Sequence, residues 1–206
     1  MFLLVYSSAA AAPNRVYAVF SFVFSAEKCY YYSMKNYCWT KNGYTIRLAQ
    51  ATDAENYYLQ NYNPLDKETA RLTGCKESFS KDEVISFFLK SIQDTDRYYF
   101  LIISPDNRII GETVINEIDF NTKSANFRIG IFQSSEQGKG IGTWAVETTR
   151  DFAFEVLNLH RLSLNVFSYN KRSEKCYLTA GFKIEGILRD AVLNGNEYAD
   201  DILMSI

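Results

Sequence analysis

Between an apolar run (Ile129, Ile131, Phe132) and a helix predicted to open at Thr143-Trp144 lies Gln137-Gly138-Lys139-Gly140-Ile141-Gly142. A strand that passes through alternate glycines into a helix turns several backbone N–H groups toward one point, where the positive end of the helix dipole also lies. That arrangement is an anion cradle. Glycine is needed there because a Cβ blocks close approach of a phosphate and resists the positive φ angles such a loop uses. The spacing limits which anion fits. Lys139 is not followed by Ser or Thr, so the loop is not a Walker nucleotide site. The third glycine comes one residue early for a dinucleotide fingerprint and sits deep in the chain.

The 206 residues suffice for one well-packed domain, with or without an appendage, and 47% hydrophobic and 16% aromatic content argues for a globular core rather than disorder. A net charge of −2 gives no electrostatic footprint for nucleic acid and no basic run to hold the chain on an anionic membrane. Cys29, Cys38, Cys75 and Cys176 are scattered without a Cys-x-x-Cys pair. With His160 the only histidine, no metal site is predicted, and the thiols read as reduced in a cytoplasmic protein. His160 falls at a helix-to-strand junction, where a structural role is expected.

Residues 1–41 differ in texture from the rest: Met1-Phe2-Leu3-Leu4, the alanines 9–12, the aromatic run 17–24 and Tyr30-Tyr31-Tyr32. They match neither a secretory signal nor a membrane span and read as an N-terminal extension of unknown role, leaving 42–206 as the domain. Tyr44 to Leu48 alternates as a strand, Thr52-Asp53-Ala54-Glu55 reads as a capping box, and a second box, Ser80-Lys81-Asp82-Glu83, opens a helix with Ile85, Phe88, Leu89 and Ile92 on one face. Two helices are thus expected after the first strand. Strand-like runs 98–103, 109–118 and 124–132 follow as an antiparallel meander. The helix after the glycine loop carries Ala145, Thr149, Phe152 and Val156 on one stripe. Arg161 to Phe167 forms a strand parallel to the Ile129 strand, then a helix spans 172–179, and strands near 182–188 and 197–204 flank Asn194-Gly195, a hairpin signal.

Gln137, Gly140 and Gly142 resemble the acyl-CoA signature of the GNAT superfamily of N-acetyltransferases, Gln/Arg-x-x-Gly-x-Gly/Ala. Asn170-x-x-Ser173-x-x-x-Tyr177-x-x-x-Gly181-Phe182 is close to a second pattern of that family. The run 125–131 and the tail Glu185-Gly186 to Arg189-Asp190, with Asp201-Ile202-x-Met204, are similar to the branch of the ribosomal-protein N-terminal and spermidine N-acetyltransferases. The resemblance covers about residues 44–206. It implies an α/β (α+β) GNAT fold, a mixed, mostly antiparallel twisted sheet with a splayed parallel strand pair and flanking helices.

It also implies acetyl-CoA as cofactor and transfer of the acetyl group to a primary amine (polyamine, small amine or protein N-terminus) by direct attack on the thioester. Backbone N–H groups of Gly138, Lys139, Gly140, Gly142 and Thr143, in the segment that includes Ile141, are expected to hold the pyrophosphate. A strand bulge is expected to free an N–H near Ile131 or Phe132 to polarise the carbonyl. Asn170 is expected on the pantetheine arm beside Ser173, with Lys139, Lys171 or Arg172 on the remaining phosphate. Tyr177 is expected as general acid, and Glu112 or Glu117 as general base. An acidic acceptor pocket drawn from Asp82, Glu83, Glu112 and Glu117 would favour a polyamine, and a more open groove a protein N-terminus. Two departures stand out: Leu178-Thr179-Ala180 where the family often has a basic residue, and Trp144 where a small or acidic residue is usual. The expected assembly is a monomer or homodimer. A non-catalytic acyl-CoA-binding module remains the alternative.

Overall fold

The computed structural model describes residues 37–206. Most of the expected N-terminal extension therefore lies outside the described residues. The elements in order are β1 (Cys38–Lys41), β2 (Tyr44–Leu48), α1 (Ala54–Asn61), α2 (Lys67–Thr73), α3 (Lys81–Ser91), β3 (Tyr98–Ile103), β4 (Ile109–Asp119), β5 (Ser124–Ile131), α4 (Ile141–Asp151), β6 (Arg161–Phe167), α5 (Lys171–Thr179), β7 (Lys183–Asn194) and β8 (Glu197–Ser205). The eight strands form one sheet in the order β1-β2-β3-β4-β5-β6-β8-β7. Every neighbouring pair is antiparallel except β5 and β6.

The central strands read as unbroken apolar runs because both their faces are covered. On β3, Phe100 and Ile102 enter one core with Val146 and Phe152 beyond the sheet, while Tyr99 and Leu101 enter the other with Tyr57 and Phe88. Helices α4 and α5 thus lie on one face, α1 and α3 on the other. The Thr113 and Thr149 hydroxyls, 2.9 Å apart and buried, tie β4 to α4 and so fix the helix that follows the glycine loop.

Several local expectations change. The sheet starts at β1, four residues inside the expected extension, and the β1–β2 hairpin turns at Asn42 (φ 51°) and Gly43 (φ 81°), a left-handed pair suited to a two-residue hairpin. The first capping box uses Gln50 and Asp53 rather than Thr52 and Glu55, because the Asp53 carboxylate is claimed by the Gln50 N–H at 2.8 Å and by Arg47 at 2.7 Å. The Ser80–Glu83 box forms as expected. Three helices, not two, follow β2; α2 is capped by the Asp66 carboxylate on the Thr69 N–H and stopped by left-handed Gly74. Helix α4 opens at Ile141, two residues before Thr143, and gives way to a π turn over Phe152–Val156, which rotates Val156 off the buried stripe into solvent. β7 runs on to Asn194 past a bulge between Leu188 and Val192.

The parallel pair is brief. Only Ser124–Asn126 face Arg161–Ser163; beyond them β5 stays with β4 as far as Ile131 while β6 follows β8, so a gap opens between the two strands. The expected bulge is displaced by one strand. β5 pairs without a break from Asn126 to Ile131, and the extra residue lies in β4 between Asn116 and Asp119, where Glu117 takes φ 55°.

Candidate functional site

The loop between β5 and α4 is shaped by its glycines. Gly138 (φ 77°) and Gly140 (φ 79°) adopt left-handed backbone, and Gly140 is the N-cap of α4 without offering a side chain to it. The first N–H groups of α4 therefore keep no intrahelical partner. A Cβ built on Gly138, Gly140 or Gly142 meets no atom within 4 Å. These glycines face open space rather than packed neighbours, and with Thr143 they line a cavity of about 330 Å³. An anionic group fits that cradle by charge and by room.

What holds the loop is a buried carboxylate. Glu136 accepts from Lys139 Nζ at 2.9 Å, the Tyr44 hydroxyl at 3.2 Å and Arg108 at 3.3 Å. Gln137 Nε2 donates to the Ile131 carbonyl at 3.0 Å, tethering the loop to the end of β5. The Lys139 ammonium holds the Glu136 carboxyl below its ordinary 4.5. A depressed carboxylate contributes fully above its unfolded value and loses that contribution as pH falls through the folded one. Glu136→Gln is expected to raise the Kd for acetyl-CoA about tenfold, or about 1.4 kcal/mol, by isothermal titration, and to flatten the acid limb of thermal stability below about pH 4.5.

Along β5 the N–H of Phe132 donates to the Ile110 carbonyl at 2.9 Å. Because alternate residues of an antiparallel pair point to opposite edges, Ile131 and Ile129 turn their N–H groups toward the gap. Of the two positions expected to polarise a carbonyl, Phe132 is thus occupied and Ile131 remains. Facing the gap from α5 is Tyr177, 6% exposed, with Phe127 and Phe182 about its ring. Burial pushes its phenol above the ordinary value, so it stays protonated well past neutral pH. Asn170 caps α5, its Oδ1 accepting from the Ser173 N–H at 3.2 Å.

A second cavity, about 530 Å³, lies on the α1–α2 side of the gap. Ile129, Gly130, Asn170, Ser173 and Tyr177 line both cavities, as do Thr69, Leu72 and Thr73 of α2. Glu112 stands in its wall, accepting from the Tyr57 hydroxyl at 2.5 Å and from the Tyr99 hydroxyl. Burial, then the neighbouring Glu112 charge, drives both phenols well above their ordinary value, so they act as fixed donors to it. Glu117 is exposed at the β4 bulge on the same cavity. Asp82 and Glu83 do not line it; Glu83 pairs with Lys76 at 2.6 Å on the surface.

The profile of the acetyltransferase (GNAT) domain matches residues 44–183, more than half of the chain. The chain belongs to the GNAT acetyltransferases. It is 32% identical over 124 residues to the spermidine N(1)-acetyltransferase of Vibrio cholerae, covering 60% of this chain and 70% of that protein. A probable N-acetyltransferase of Bacillus subtilis, YjcK, is 29% identical over 167 residues, covering 78% and 92%. Among solved structures, the Vibrio cholerae spermidine N-acetyltransferase in complex with CoA and spermine superposes with a TM-score of 0.71 at 26% identity, covering 81% of this chain and 96% of that one. The ribosomal-protein-S5-alanine acetyltransferase of Vibrio fischeri shares the fold, with a TM-score of 0.67 at 24% identity over 82% and 95% of the two chains. The spermidine and ribosomal-protein acetyltransferases among them are of the branch that the motifs resemble.

Within this GNAT acetyltransferase, the expected cations sort themselves by partner. Lys139 and Lys171 are paired with Glu136 and Glu174, whereas Arg172 lines the first cavity. Lys175, which sequence reading passed over, lines it too, three residues along α5 from Arg172; helical spacing was the available signal. Helix α2 was also passed over, although Asp66-x-x-Thr69 followed by Gly74 is a cap-and-stop pattern. His160 is exposed ahead of β6 and lines neither cavity. Among the described residues no helix is long and apolar enough to cross a membrane.

Proposed function

We propose that the protein transfers the acetyl group of acetyl-CoA to a primary amine by direct attack of the amine on the thioester. The observation that carries this reading is the position of Tyr177, which lines both the cavity under the glycine loop and the cavity beside Glu112 and Glu117. A donor and an acceptor bound in the two spaces meet at its phenol. The room left around Gly138, Gly140 and Gly142 fits a pyrophosphate, with Arg172 and Lys175 suited to a further phosphate.

Acetyl-CoA supplies the acetyl group already activated as a thioester. The chain's own residues then do four things. The α4 N-terminus and the glycine loop bind the anionic end. The Ile131 N–H, directed into the gap, donates to the carbonyl oxygen as charge grows there. Glu117, the more exposed carboxylate, accepts the ammonium proton through water, while Glu112, held by two phenols, keeps the pocket negative. Tyr177 donates its proton to the departing sulfur. Among the described residues Cys38, Cys75 and Cys176 form no disulfide with one another, in keeping with a reducing, cytoplasmic setting.

With acetyl-CoA labelled in its acetyl group, the label is expected to appear on an added alkylamine and not on precipitated protein. Stable label on Cys75 or Cys176 would replace direct attack with a two-step route.

A further inference from the structure

The second cavity contains one cation that the transfer chemistry leaves unused. Among the described residues its charged lining is Glu112, Glu117 and Arg128, so Arg128 is the only positive side chain there. Arg128 is exposed on β5, opposite Val114 of β4, and has no ion pair among the described residues. The nearest carboxylate by sheet register is Glu112, opposite Gly130, and it is held by Tyr57 and Tyr99 instead. Two positions along β5 on the same face stands Asn126, directly across from Asn116 of β4, and both asparagines line the cavity. Asn116 is 6% exposed, and its buried Oδ1 lacks a hydrogen-bond partner. The Arg128 guanidinium on this wall is thus left without an acceptor among the described residues, and the Asn116 Oδ1 beside it without a donor.

The composition of that patch selects a ligand chemistry. A guanidinium presents paired N–H donors that match the two oxygens of a carboxylate, and amide side chains supply further donors or accept an N–H. Glu112 and Glu117 suit a cationic end of an acceptor and Arg128 an anionic one. The geometry points to an acceptor that is zwitterionic: a primary amine bearing a carboxylate, the amine directed to the gap at Ile129–Ile131 and the carboxylate held by the unpaired guanidinium of Arg128, with the Asn126 amide beside it. This rests on the amine-acetylation reading above and narrows it. Arg128 lies one residue from Ile129 on β5, and the flexible arginine side chain allows chains of several carbons between the two ends of the acceptor. The carboxylate belongs either to a free amino acid or to an acidic residue next to a protein N-terminus; the chemistry is shared.

The test compares three acceptors of equal length on the full chain with saturating acetyl-CoA: 5-aminopentanoate, 1,5-diaminopentane and pentylamine, read by thiol release. The expected preference for 5-aminopentanoate over the diamine, in kcat/KM, is about tenfold or more. In Arg128→Gln that ratio falls by about tenfold, and in Arg128→Glu it inverts. A pair of C-terminally amidated peptides with free N-termini and glutamate or glutamine at the second position assigns the source: an Arg128-dependent preference for the glutamate peptide over aminopentanoate places the carboxylate on a protein chain, the reverse on a free amino acid. A diamine preference, or a ratio that neither substitution moves, overturns the anion pocket and leaves amine acetylation standing. No product from any amine, with thermal protection by acetyl-CoA intact, overturns amine acetylation itself and this inference with it.

Discussion

Tyr177→Phe is expected to lower kcat by about 10²- to 10³-fold while the Kd for acetyl-CoA changes by no more than about twofold. The substitution removes one oxygen and keeps the ring, so the packing against Phe127 and Phe182 survives. The substitution thereby tests the role proposed for this hydroxyl, proton donor to the departing sulfur. Burial raises the phenol, which keeps the proton in place at neutral pH and also makes it a weaker acid, so its transfer depends on contact with the developing thiolate. The departing thiolate takes that proton only as the bond breaks, so the loss falls on kcat rather than on binding. Single-turnover kinetics with a tightly bound amine separates the two. An unchanged kcat would remove Tyr177 from the mechanism, and equal losses in binding and turnover would make it a packing residue of the cleft.

Gly140→Val carries the second large effect. At φ 79° an L side chain, above all a β-branched one, is strained by about 1–3 kcal/mol. Its Cβ would also project into the space that the cradle leaves for a ligand. Strain and obstruction together are expected to raise the Kd for acetyl-CoA at least about 100-fold, or about 2.7 kcal/mol, with a similar fall in kcat/KM. Gly142→Ala is the control for the two causes. Gly142 lies in helical backbone without a positive φ, so any loss there reports obstruction alone. Titration calorimetry on the three proteins reads the comparison. Binding that is unchanged in Gly140→Val would mean that the anion sits elsewhere.

How far the sequence reveals this protein depends on whether a feature is local. The glycine loop, the Ser80–Glu83 box and the Asn194-Gly195 turn each follow from a few neighbouring residues; the box and the turn appear where expected, and the loop does so up to Gly140, where α4 begins two residues early. Strand β1 and helix α2 were equally local, announced by Asn42-Gly43 and by Asp66 and Gly74, but the texture of residues 1–41 and the assumption of a two-helix arm masked them. Other features depend on the assembled sheet. Glu136 reads as an ordinary surface carboxylate until Tyr44, Arg108 and Lys139, drawn from three parts of the chain, close around it. Glu112 looks like a free base until Tyr57 and Tyr99, 55 and 13 residues away, are seen to donate to it. The displaced bulge has the same origin. A strand's register is set by its partner, and the extra residue was accommodated in β4 rather than in β5.

Thiol release from acetyl-CoA, followed with and without a primary amine and paired with mass identification of the product, tests the central claim most directly. Release that requires the amine, saturates in both substrates and yields the N-acetylated amine is the expected result. Contradiction would be a protein that acetyl-CoA protects against thermal unfolding, by about 2.7 kcal/mol at 100 times its Kd, yet that releases no thiol with any amine offered. Such a protein would be an acyl-CoA-binding module built on a GNAT fold, and the alignment of Tyr177 with the two cavities would carry no chemistry.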